Sequence, residues 1–215
     1  MYVLDHFAEE RVDRLLDLIR TEPLGILVTG GVDGLTANHI PFVLDPVVGP
    51  SGTLQGHVAR SNPVWRDEPA PPEVLVIFQG PAAYISPNWY PGKREDGRQV
   101  PTWNYLTVHA HGPLVVHDDT RWLRAQTGRL TRLMERHQPT PWKMADAPRD
   151  YVESMLTEIV GIEIPITRLV GKAKLSQNKA DRDQSGAANG LRHAGGDERS
   201  AMAELIERAS RERTQ

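Results

Sequence analysis

Apolar residues recur at Val12, Leu15, Leu16 and Ile19, the spacing of one helix face, and predict an amphipathic helix over His6–Arg20. Asp5 suits its N-cap and Pro23 its end. Short apolar runs follow. Gly25–Thr29 and Leu35–Leu44, joined by the turn Gly30–Gly34, predict a β-hairpin, and Thr53–Ala59 a third strand after the turn Pro50–Gly52. Asn62 is placed to cap a short helical turn opened by Pro63. Val74–Phe78 reads as a buried strand that continues, past a bulge at Gly80-Pro81, into Ala82–Ser86. Trp103–Val116 and Ile159–Leu175 predict two long strands, with helices over Thr120–His137 and Tyr151–Leu156. Asp119 caps the first of these helices, which turns Leu123, Leu130, Leu133 and Met134 inward.

About six antiparallel strands, short turns and peripheral helices predict a mainly β fold closed into a barrel, which leaves few open sheet edges. Residues 1–177 read as that domain. Residues 178–215 read as a charged extension, helical over Arg182–Leu191 and Ser200–Ala209.

The chain has no cysteine, which excludes disulfides and thiolate-held metals. No apolar run approaches the roughly 18–20 residues that span a bilayer, and the first residues are acidic where a signal peptide is basic. A soluble, cytoplasmic protein is expected. The net charge of −3 argues against a broad nucleic-acid surface. Arg121, Arg124, Arg129, Arg132 and Arg136 form one local basic patch, read as a solvated helix face.

There is no P-loop, no GxGxxG, no GxSxG and no HExxH. His109 and His111 share a strand face, but without a carboxylate partner they read as hydrogen-bonding residues and no metal is expected. Trp89, Trp103 and Tyr105 lie among Pro, Gly, Ser and Asn. Singly each reads as a core plug; together they suit a flat ring with a polar edge. Arg60, Ser61 and Asn62 have the chemistry of an anion site, with a local cap as the alternative. Lys172 and Lys174 share a strand face and suit a phosphate, an acidic partner or plain solvent.

The strings His39-Ile40-Pro41-Phe42, Gly56-His57-Val58-Ala59-Arg60-Ser61-Asn62-Pro63, Phe78-Gln79-Gly80-Pro81, Tyr84-Ile85-Ser86-Pro87-Asn88-Trp89-Tyr90, Val100-Pro101-Thr102-Trp103-Asn104-Tyr105 and Lys174-Leu175-Ser176-Gln177-Asn178, in this order, resemble the PaiB family. Its members are FMN-binding negative transcriptional regulators related to the pyridoxamine-phosphate-oxidase-like split barrels. The resemblance implies a split β-barrel, a homodimer, and FMN bound where two subunits meet. It implies that Asn38, His39, Ile40 and Pro41 lie along the flavin ring and that His57, Arg60, Ser61 and Asn62 take the phosphate. Trp103 and Asn104 would close the site, with Lys172, Lys174 and Gln177 reaching it. Two other functions fit the same fold: an FMN-dependent oxidoreductase, with His39, His57 or Tyr105 as proton donor, and a haem-binding relative using His109 or His111. Regulation implies DNA as a partner, which the charge does not support; no membrane contact is expected.

Overall fold

The computed structural model describes residues 1–31, 34–49, 51–66 and 73–213. Parts of the turns expected at Gly30–Gly34 and Pro50–Gly52 therefore lie outside the described residues. The described residues form ten strands: β1 (Ala8–Glu9), β2 (Leu24–Gly31), β3 (Gly34–Pro41), β4 (Val43–Asp45), β5 (Thr53–Ala59), β6 (Val74–Ile85), β7 (Thr102–Gly112), β8 (Val115–His117), β9 (Ile159–Pro165) and β10 (Arg168–Lys174). The helices are α1 (Val12–Thr21), α2 (Lys93–Asp96), α3 (Thr120–Glu135), α4 (Arg149–Thr157), α5 (Asp181–Ala194) and α6 (Asp197–Arg213). Two sheets carry the strand orders β1-β10-β7-β6-β2-β3 and β4-β5-β9-β8. The expected mainly β, antiparallel split barrel with a helical C-terminal end is what the chain adopts.

Proline divides three of the expected strands. Leu35–Leu44 ends its pairing with β2 at Pro41, and β4 resumes in the other sheet. Trp103–Val116 stops before Pro113, and Ile159–Leu175 turns after Pro165, which sends β9 and β10 into different sheets. A residue without an N–H cannot extend a ladder. Pro81 is the exception, for β6 runs through it as one twelve-residue strand.

The first helix begins at Val12, six residues later than expected. Asp5–Phe7 instead makes one 3₁₀ turn, and Ala8 and Glu9 pair with Lys172 and Gly171 of β10. Glu9 is 8% exposed and holds the Arg11 guanidinium at 2.6 Å, which fixes this segment as extended chain.

The chain divides into two compact units. The first comprises residues 1–11, 79–108 and 170–215. Its core joins Ala83, Ile85, Tyr90, Ala173 and Leu175 to Ala187, Ala188, Leu191, Met202, Ala203 and Ile206 of α5 and α6. Gly190 lets α5 lie flush on Trp89, since a Cβ there would come within 2.3 Å of the indole. The second unit comprises residues 12–78 and 109–169. In it, α3 covers the sheet β4-β5-β9-β8. Asp119 accepts the Trp122 N–H at 2.7 Å, as its capping role requires. Trp122 stacks on His117 at 4.2 Å over Gly161, where a Cβ would meet the indole at 2.3 Å. Helix α3 buries Leu123 and Gln126, while Met134, expected inside, is 43% exposed.

Candidate functional site

The candidate residues fall into two groups, one in each compact unit. In the second unit, β3 pairs with β2 alone and forms the end of its sheet. Leu35, Thr36, Ala37 and His39 are exposed along it, and Asn38 is half-buried. Ile40 points the other way, to within 3.0 Å of where a Gly56 Cβ would stand, and is buried.

Beyond β5 the chain turns sharply. Asn62 Nδ2 donates to Asn38 Oδ1 at 2.8 Å, and Asn62 Oδ1 accepts the Val64 N–H at 3.0 Å. The predicted Asn-Pro cap is therefore present, and one side chain ties the turn to the edge strand. Trp65 Nε1 donates to the Arg60 carbonyl at 3.1 Å, which closes the turn from its far side. Ser61 is exposed, and its hydroxyl has no partner among the described residues.

Arg60 is engaged on every side. Its Nη1 and Nη2 donate to Asp118 at 3.0 and 2.6 Å, and its Nε and Nη2 donate to the carbonyls of Thr157 and Ile159 at 2.6 and 3.1 Å. The Asp118 carboxylate holds the Arg60 guanidinium above its ordinary pKa, and Arg60 holds the carboxyl below its own. His57 faces α3, where its Nδ1 meets Gln126 Oε1 at 2.9 Å.

His57 thus belongs to a polar seam between α3 and the sheet. Gln126 donates to the Gln55 carbonyl at 3.3 Å, and Gln55 Nε2 donates to Glu163 at 2.9 Å. Arg129 donates to Gln55 Oε1 and reaches Asp45 at 3.4 Å. The sequence reading missed Gln55, Gln126 and Glu163. The available signal was polar residues at buried positions of apolar strand and helix faces.

The first unit holds the other group. Trp103 is 57% exposed and meets Tyr84 edge to face at 6.2 Å. Asn104, its neighbour on β7, is fully buried and donates to Ser176 Oγ at 2.9 Å. Asn104 Oδ1 has no partner among the described residues. Ser176 sits at φ 64°, a left-handed conformation that is uncommon outside glycine.

Lys174 Nζ donates to Thr102 Oγ1 at 2.5 Å, and Lys172 lies 5.3 Å from the Tyr105 ring. Gln177 accepts the Leu175 N–H at 2.7 Å and donates to the Ala173 carbonyl at 2.5 Å, a staple at the end of β10. Lys179 donates to Gln99 at 2.6 Å and lies 5.1 Å from the Tyr90 ring. Buried Asp183 accepts the Gly92 N–H at 2.8 Å. Burial pushes the Tyr90 phenol above its ordinary pKa, with the Ser176 hydroxyl opposing it. Gln99 and Asp183 escaped the sequence reading, and Tyr90, Ser176 and Lys179 entered it without a role, because their partners lie tens of residues away.

Two antiparallel sheets with a free edge strand and a polar turn beside it form a split barrel. Residues 1–168 match the family described as "Putative FMN-binding domain", and the chain belongs to that family. It is 31% identical to the Bacillus subtilis protein "Protease synthase and sporulation protein PAI 2", covering 96% of this chain and 97% of the relative. It is 34% identical to an uncharacterised protein of Emericella nidulans, covering 96% of each. The FAD and heme binding protein from Mycobacterium smegmatis shares its fold, with a TM-score of 0.57 at 17% identity over 88% of this chain and 80% of that one. The PaiB-type resemblance is thereby borne out, and the cofactor is FMN. No helix among the described residues is long and apolar enough to cross a membrane.

Proposed function

We propose that two copies of the chain hold FMN along the open edge of β3, and that the flavin-loaded dimer acts as a negative regulator of the PaiB type. The carrying observation is the Asn38–Asn62 bridge, which locks the exposed edge strand to the turn that bears the free Ser61 hydroxyl. A flavin needs a flat support, donors and acceptors for its pyrimidine edge, and cations or hydroxyls for its phosphate. Asn38, His39 and Pro41 supply the edge. Ser61 and Asn62 supply phosphate contacts, and Arg60 braces the turn through Asp118. Trp103, Asn104, Lys172, Lys174 and Gln177 are proposed, on the resemblance alone, as further flavin contacts. Asn104 Oδ1 has no partner among the described residues, and a buried acceptor without a donor calls for one from a ligand or water.

The regulatory part follows the resemblance and the PAI 2 relative, whose name refers to protease synthase and sporulation. Control through the flavin's redox or binding state suits this chain better than a grip on DNA. Of the arginines on α3, Arg124 pairs with Glu153 at 2.5 Å and Arg129 with Asp45, which breaks up the positive run along the helix. An FMN-dependent oxidoreductase is the second reading. It is favoured by His39, an exposed imidazole on the edge strand with no hydrogen bond among the described residues, free to hand over a proton.

The test is to purify the chain, release and identify its chromophore, and measure its mass in solution. FMN in a dimer is expected. Colourless monomer that ignores added FMN overturns the reading. NAD(P)H oxidation by the loaded protein separates the enzyme from the regulator.

A further inference from the structure

Helix α3 sets Arg129, Arg132, Leu133 and Arg136 on one face, and that face lines a groove of about 420 Å³ shared with α1 and β4. The floor is apolar: Ile19 and Phe42 are each 1% exposed, and Val43, Leu44 and Leu133 complete it. The rim is cationic, with Arg20 on the α1 side.

Two of the four guanidiniums are already compensated. Arg20 pairs with Asp17 at 2.7 Å and Arg129 with Asp45 at 3.4 Å. Arg132 has no hydrogen bond or ion pair among the described residues. Arg136 has only its neighbour His137, to which its Nε donates at 2.8 Å. Two like charges one turn apart repel and weaken a helix. A ligand anion would relieve that repulsion.

We propose that this groove binds an anionic amphiphile: a carboxylate or phosphate head held by Arg132 and Arg136, with an apolar body against Val43, Leu44 and Leu133. The volume lies in the range of small-molecule sites. The apolar floor selects against a nucleic acid, whose phosphates carry no hydrophobic surface to fill it. The proposal concerns one compact unit and does not rest on the flavin site or on its occupancy.

The experiment is calorimetric titration of the FMN-treated chain with decanoate and with decyl phosphate, below their micelle concentrations, using decyltrimethylammonium as a control. One saturable site for both anions and none for the cation is expected, with the flavin absorbance unchanged. The double variant Arg132→Gln, Arg136→Gln, which touches only exposed side chains, weakens binding at least tenfold. Val43→Asp, which charges the floor, weakens it comparably while Arg132 and Arg136 remain. Equal affinity in the wild type and the arginine variant overturns the proposal, as does equal binding of the cation. Displacement of FMN by decanoate also overturns it, since the groove would then be the flavin's own site. Competition by a short DNA duplex overturns it in favour of a polyanion surface. A chain that never takes up FMN leaves this titration intact, so failure of the flavin reading is seen separately.

Discussion

Asn62 spends both ends of its side-chain amide within one turn: Nδ2 donates to Asn38 at 2.8 Å while Oδ1 takes the Val64 N–H at 3.0 Å. The first bond joins the turn to the edge strand and the second shapes the turn itself. Removing them one at a time separates support of the site from support of the fold.

Asn38→Ala removes the bridge and keeps the cap. It is expected to cost about 1 kcal/mol of stability, the worth of one partly buried hydrogen bond. Asn62→Ala removes both and is expected to cost about 2 kcal/mol. Both variants should release FMN more readily than wild type in dialysis followed by flavin fluorescence. Undiminished retention in both would falsify the edge-strand assignment.

Arg60 and Asp118 form a two-pronged pair on a partly exposed surface, where the ionic attraction itself counts for little. Asp118→Asn is therefore expected to change the urea midpoint only slightly and to leave the FMN affinity intact or raised. Arg60→Ala also abandons the carbonyls of Thr157 and Ile159, and should lower the urea midpoint further and lose FMN affinity. If the two variants behave alike, Arg60 acts only through Asp118.

Gly190→Ala tests the seat of Trp89 on α5. Alanine in a helix interior ordinarily stabilises by up to about 1 kcal/mol. Here the new methyl would stand 2.3 Å from the indole, so a loss of about 1–3 kcal/mol is expected instead. Chemical denaturation followed by tryptophan fluorescence gives the sign directly.

Burial pushes the His109 imidazole down to about 4, so the folded chain keeps it neutral where an unfolded chain would protonate it. Between pH 6.5 and 4 the unfolded state binds the extra proton. The stability contributed by this group is full above pH 6.5 and is lost as the pH falls toward 4. Because the ring is only half-buried, the expected loss is about 1–2 kcal/mol. His109→Gln should flatten that part of the stability profile, measured as urea midpoints from pH 7 to pH 4.5.

Local chemistry announced much of this structure. The Asn62-Pro63 cap, the Asp119 cap, the hairpin of β2 and β3 and the barrel class follow from spacing and turn residues that act within a few positions. Strand breaks at Pro41, Pro113 and Pro165 were equally legible but were outweighed by the apolar runs around them. The late start of α1 was not legible, because the segment before it is held by β10 and by the Glu9–Arg11 pair. The candidate site divides the same way. Arg60 was legible as an anion ligand, but its fork on Asp118, 58 positions on, was not. His57 was legible as a candidate, but the Gln126 partner of its Nδ1 was not. In both cases a partner distant in sequence decides which way a polar side chain is used.

The unpaired flank of β3 carries backbone amides and carbonyls that seek company, and Leu35 beside them stands 81% exposed. Left uncovered, that flank is an adhesive rim on which any strand of matching register could extend the sheet.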